Sequence, residues 1–170
     1  VIGRLLLWAC AVLVVLEVLA GALYLRRTDP IAFISGHALT GEVVNEPVTD
    51  WSFATDVQEV AFETRPAWPH SVTIWCFVHE GKLYVPGWDT RAWTYFAIGD
   101  PRVRVKIGDK VYPGIATRVT GTDLEAVREP INAISRTKYG VGAAPGSAGP
   151  PGLWLFRIDS PQQAAAVGHP

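Results

Sequence analysis

The chain has 170 residues, of which 49% are hydrophobic and 18% charged, and its formal net charge is −1. That balance offers neither a basic surface for nucleic acid nor a polybasic stretch drawn to anionic lipid. The only cysteines are Cys10 and Cys76, and there is no methionine, so the sequence is expected to lack its initiator while Val1 stays close to the native start.

Residues 5–25 are apolar except for Glu17 and are framed by Arg4 and the Arg26-Arg27 pair. About 20 such residues in helical form span a hydrocarbon core of about 30 Å. Trp8 and Tyr24 sit near the ends, where amphipathic rings prefer the headgroup layer. Ala20-Gly21-Ala22 has the form of a leader cleavage site, but residues 1–27 are expected to be retained as a transmembrane anchor. Cys10 would then lie in the bilayer and could not pair with Cys76. An apolar stretch with a short basic flank and a signal-like end leaves the following domain outside the cytoplasm, on the periplasmic side.

Gly3, Cys10 and Glu17 repeat at seven-residue spacing, with Ala20 and Gly21 one turn further on, which gives one small and polar helix face. Small residues allow close helix approach, and a protonated Glu17 can donate a hydrogen bond across the contact. The expected partners are other transmembrane subunits. The alternative is a protonated Glu17 that lipid tolerates.

Residues 28–39, broken by Pro30 and Gly36, read as a tether. Residues 40–170 are long enough for one domain. Short strands are expected at residues 41–44 and 57–64. A hairpin follows over residues 71–85, in which Val72, Ile74, Cys76 and Val78 alternate with Thr73, Trp75 and Phe77 before Glu80-Gly81 turns the chain. Both faces are apolar, as in a covered sheet or barrel. Val103, Val105 and Ile107 form one face of a second hairpin that turns at Gly108-Asp109 and returns through Lys110-Val111-Tyr112. Thr122 and Glu125 have capping-box spacing. Leu124, Val127, Ile131 and Ile134 form the stripe of a helix that Gly140 would cap and Pro130 would kink or split. Residues 141–152 read as a flexible Gly/Pro-rich excursion, and residues 153–158 as a last strand.

Several of these runs carry a resemblance: Ser71-Val72-Thr73-Ile74-Trp75, Glu80-Gly81-Lys82-Leu83-Tyr84-Val85, Asp100-Pro101-Arg102-Val103 and Lys138-Tyr139-Gly140. Over residues 41–140 the chain resembles the FMN-binding split-barrel superfamily, in its pyridoxamine-phosphate-oxidase-like and deazaflavin-nitroreductase-like branches. The resemblance implies a mainly β, split-barrel-like domain with one or two helices behind the single N-terminal transmembrane helix. It also implies a site for FMN or a deazaflavin, whose phosphate needs cationic donors. Arg91 is the first candidate, followed by Arg102, Arg104 and Lys106, with Trp88 and Trp93 able to cover an aromatic ring. Basic residues on one face of a strand also simply face solvent.

His37, His70, His79 and His169 lack ligand spacing, and no zinc, phosphate-loop or nucleophile-elbow motif is present. No metal is expected. Trp51, Trp68, Trp88 and Trp93 fall beside Pro, Gly or Asp in expected loops, where aromatics either form contact surfaces or close the ends of a barrel. Trp51 and Trp68 join the helix face as candidate partner contacts. The leading expectation is an accessory subunit or binding module of a larger membrane complex, respiratory or photosynthetic, without catalysis or cofactor. The alternative is a membrane-tethered flavin- or deazaflavin-dependent oxidoreductase.

Overall fold

The computed structural model describes residues 2–26, 28–147 and 149–162. Helix α1, Ile2–Arg26, is long and apolar enough to cross a membrane. Its described side chains are all exposed, and a Cβ added at Gly3 or Gly21 would meet nothing within 4 Å. The small face of Gly3, Cys10, Glu17, Ala20 and Gly21 is therefore open along its length.

The expected tether is instead folded onto the domain. Thr40 donates through its amide and its hydroxyl to the Asp29 carboxylate at 2.8 and 2.7 Å, and Lys106 Nζ donates to the same carboxylate at 2.6 Å. Gly36 exchanges backbone hydrogen bonds with Ser71 at 2.8 and 3.1 Å. A side chain at Gly36 would sit 2.3 Å from the Thr28 carbonyl oxygen, so only glycine lets this segment close on itself. The Leu39 amide donates to Glu63 Oε2 at 2.7 Å.

The strands are β1 (Glu42–Val43), β2 (Glu59–Thr64), β3 (His70–Trp75), β4 (Phe77–His79), β5 (Lys82–Trp88), β6 (Arg102–Ile107), β7 (Lys110–Arg118) and β8 (Leu153–Asp159). Helix α2 is Ala92–Gly99 and helix α3 is Gly121–Tyr139. Strand order is β3-β2-β6-β7-β8-β5-β4, with β1 parallel to β7 and every pairing within that order antiparallel. The two ends of this sheet, β3 and β4, are halves of one bent strand separated by Cys76. The first half pairs with β2 and the second with β5, so the sheet closes into a split barrel.

Period-two alternation fills that barrel. Val103 and Val105 of β6, Leu83 and Val85 of β5, and Phe156 and Ile158 of β8 point inward around Phe62. Trp93 reaches in from α2, with ring centroids 5.2 Å from Phe62 and 5.5 Å from Phe156. The opposite parity on β5 and β8 places Tyr84 and Leu155 outside, where Ile131 of α3 covers them together with Phe77. Glu80 and Gly81, with φ of 49° and 69°, make the tight two-residue turn between β4 and β5.

Two local expectations change. Helix α3 runs unbroken through Pro130: the carbonyl that loses its donor belongs to Ala126, which is exposed and open to water. It also starts earlier, with Thr120 as N-cap and no side-chain cap bond. Glu125, expected to reach back to Thr122, instead pairs with Arg128 at 2.5 Å. Gly140 does cap the other end in the left-handed region, at φ 69°.

Candidate functional site

The break in the bent strand is held by the end of α3. At Cys76 the chain changes partners in a buried position; its amide keeps one backbone partner, the Gln58 carbonyl at 3.2 Å, and side chains of α3 supply the rest. The Tyr139 hydroxyl accepts from the Cys76 amide at 3.2 Å and lies 2.7 and 2.5 Å from the carbonyls of Cys76 and Gln58, to which it can donate. Lys138 Nζ donates to the Cys76 carbonyl at 3.1 Å and to that of Val57. Burial drives the Tyr139 phenol well above its ordinary range, so it stays a protonated donor. Burial likewise pushes the Cys76 thiol up to about 11, and it donates to the Val57 carbonyl at 3.1 Å. Cys76 is thus a packed, protonated thiol and not a nucleophile.

Tyr139 also stacks on Trp75 with ring centroids 4.5 Å apart and 12° between planes. That indole forms part of the wall of a cleft of about 850 Å³, bounded by β3, β5, β8, α3, residues 32–35, residues 141–143 and residues 149–150. The size falls in the range of small-molecule and cofactor sites, roughly 300–1,000 Å³. Its aromatic lining comes from Phe33, Trp75, Phe77, Trp88, Trp93 and Trp154, and its polar groups include Glu59, Arg91, Arg128 and Asn132. The Asn132 side-chain nitrogen is buried and makes no hydrogen bond within the protein. Such a donor normally finds a partner, and this one belongs to a residue on the cleft wall. Arg91 is exposed and, among the described residues, takes part in no ion pair. It is the N-cap residue of α2, with its amide donating to the Trp88 carbonyl at 3.0 Å.

The structure therefore brings Trp88, Arg91 and Trp93 together at one cleft. It does not bring Arg102, Arg104 and Lys106 there. They lie on the outer face of β6, and each is engaged by a carboxylate: Asp100 at 2.7 Å, Glu63 at 2.5 Å and Asp29 at 2.6 Å. Their alternation along the strand reflects ion pairing, and Glu63, with 0% of its surface exposed, is the buried member. Trp51 is only 3% exposed and packs with Phe53 and Tyr112 at 5.7 and 5.5 Å, so it belongs to the core and is not a partner contact. Trp68 stands out at 74% exposure. Phe33, Trp75, Arg128, Asn132 and Trp154 escaped sequence reasoning. Asn132 and Arg128 lie one turn apart on the helix, a signal that the apolar stripe of α3 obscured. Among the described residues no group of three or more His, Cys, Asp or Glu could hold a metal.

No family model and no curated protein sequence matches the chain. Solved structures do. A conserved hypothetical protein from Mycobacterium tuberculosis is 16% identical, with a TM-score of 0.50, and the match covers 76% of this chain and 95% of that one. A candidate pyridoxamine 5′-phosphate oxidase from Listeria innocua is 21% identical over 62% of this chain and 85% of its own, with a TM-score of 0.48. An F420 reductase is 15% identical over 69% and 95%, with a TM-score of 0.45. At these identities the likeness concerns architecture. With the strand order and the closure at Cys76 already established, the domain has a split-barrel fold.

Proposed function

We propose that this chain is a membrane-tethered oxidoreductase that holds a flavin or deazaflavin in the aromatic cleft. The observation that carries this reading is the cleft itself: about 850 Å³ walled by indoles, with an unpaired arginine at the start of α2 and an unsatisfied amide donor on α3. Trp75 and Trp88 offer faces to a planar ring. Asn132 can donate to a ring carbonyl, and Arg91 can pair with the phosphate. The bound group would supply hydride or electron transfer, while the protein binds it, orients it and excludes water. The cofactor class comes from the resemblance of residues 41–140 to FMN-binding split barrels.

The expectation of a cofactor-free accessory subunit rests on the small face of α1, on Trp51 and Trp68 and on the lack of a catalytic motif; the α1 face and Trp68 are open and Trp51 is buried, and the cleft is what favours the cofactor reading. The test is a titration of the detergent-solubilised full chain with FMN, FAD and a deazaflavin, followed by visible absorbance. One of the three should bind, and Arg91→Ala should weaken it about tenfold or more, the usual scale for a charge-assisted hydrogen bond. If none of the three binds, the proposal fails.

A further inference from the structure

A second cavity, of about 240 Å³, lies where the docked segment after α1 meets the turn between β2 and β3 and the side of α2. His37, Arg65 and His70 line it together with Ser35, Trp68 and Phe96, and no carboxylate does. Arg102, Arg104, Arg128, Arg136 and Arg157 all have acidic partners, whereas among the described residues Arg65 enters no ion pair. Its guanidinium lies 4.5 Å from the centroid of the Phe96 ring, and that stacking leaves its N–H edges available to an oxyanion. The backbone supports this placement at a cost. Arg65 has a φ of 56°, which a non-glycine residue rarely adopts, and its carbonyl accepts the Trp68 amide at 2.8 Å to close the turn.

His70 meets the same Phe96 edge to face, at 5.5 Å between centroids. Burial first, and then the electrostatic influence of Arg65 and His37, hold this imidazole below its ordinary 6.5. From the docked segment His37 faces it, and from the turn Arg65 does. From α2 only Ala92 and Phe96 line the cavity. A guanidinium without an acidic partner thus faces a cavity that no carboxylate lines, an arrangement that a bound anion relieves. At about 240 Å³ the cavity has room for a phosphate group with part of its hydration.

We infer that this cavity is an oxyanion site that takes a phosphate group, held between the Arg65 guanidinium and the imidazoles of His70 and His37. The phosphate can belong to a lipid headgroup, since Ser35 and His37 follow closely on α1, or to a soluble ester. The inference stands on this cavity alone and does not depend on flavin binding in the larger cleft.

The test follows the His70 imidazole by NMR in the full chain, without any flavin. One arm adds inorganic phosphate in a maltoside detergent, and the other compares that detergent with nanodiscs containing phosphatidylglycerol. Bound phosphate should move the His70 titration midpoint upward, and binding should tighten as pH falls. A shift with inorganic phosphate identifies a soluble ligand, and a shift in nanodiscs alone identifies the headgroup. Arg65→Asn, which tolerates the positive φ, should abolish the shift while leaving the backbone spectrum native, and His37→Gln should reduce it. An unmoved His70 midpoint in both arms, or a full shift in Arg65→Asn, would overturn the inference.

Discussion

Two residues show how single side chains hold this architecture. Tyr139 satisfies the backbone where the bent strand changes partners. Tyr139→Phe keeps the stacking on Trp75 but removes the hydroxyl and its bonds to Cys76 and Gln58, while the Cys76 amide keeps the Gln58 carbonyl and the Cys76 carbonyl keeps Lys138. It should cost about 1–2 kcal/mol in urea unfolding, the scale of one buried hydrogen bond. Asp29 holds the segment after α1. Burial opposes its charge, but hydrogen bonds from Lys106 and Thr40 outweigh that and place its carboxyl below the ordinary 3.8. A carboxyl depressed in the folded state stabilises fully above its unfolded value and loses that contribution as pH falls through the folded one. The Thr40 amide resonance should therefore stay constant above about pH 5 and move to solvent-exposed values only under stronger acid, and Asp29→Asn should show that state at neutral pH. Neither contact was legible beforehand. Both join residues far apart in sequence, and the Asp29 segment carries the Pro and Gly of an ordinary linker.

At the level of elements, strands with strict alternation were read correctly. Val103, Val105 and Ile107 announce β6, and the Gly108-Asp109 turn and the Gly140 cap fall where their backbone chemistry requires. What failed were elements without a period. Helix α2, Ala92–Gly99, is short and apolar almost throughout and has no side-chain cap, so nothing separated it from a loop of tryptophans. Its position depends on Gly87 of β5: an added Cβ there would come within 2.3 Å of the Trp93 indole and 2.6 Å of the Thr94 methyl. Gly87→Ala should push α2 off the barrel, destabilise the fold by about 1–3 kcal/mol in denaturant unfolding, and weaken cofactor binding in the cleft that Trp93 borders. Alternation on β6 carried a second lesson. The pattern separated its basic residues from the core, but only the fold shows that acids from β2 and the docked segment neutralise Arg104 and Lys106.

Across the whole molecule, the folded segment between α1 and the barrel matters most. Phe33, 97% exposed, and Ile34 line the mouth of the large cleft only a few residues beyond the end of α1. If α1 crosses a bilayer, the cleft opens close to its surface, because about 3.5 Å per residue bounds how far Phe33 can stand from the helix end. The barrel and three of the cleft residues, Trp88, Arg91 and Trp93, were legible from strand alternation and the resemblance. The cleft itself was not, because it forms only when β3, β5, β8, α3 and the docked segment meet. The most direct measurement is tryptophan emission during titration of the full chain with FMN, FAD and a deazaflavin, in the unmodified protein and in Trp75→Phe, Trp88→Phe and Trp68→Phe. Saturable quenching that is reduced in the first two variants and unchanged in Trp68→Phe is the predicted result. Absence of quenching by any of the three, or quenching lost only with Trp68, would contradict the assignment of the cleft as the cofactor site.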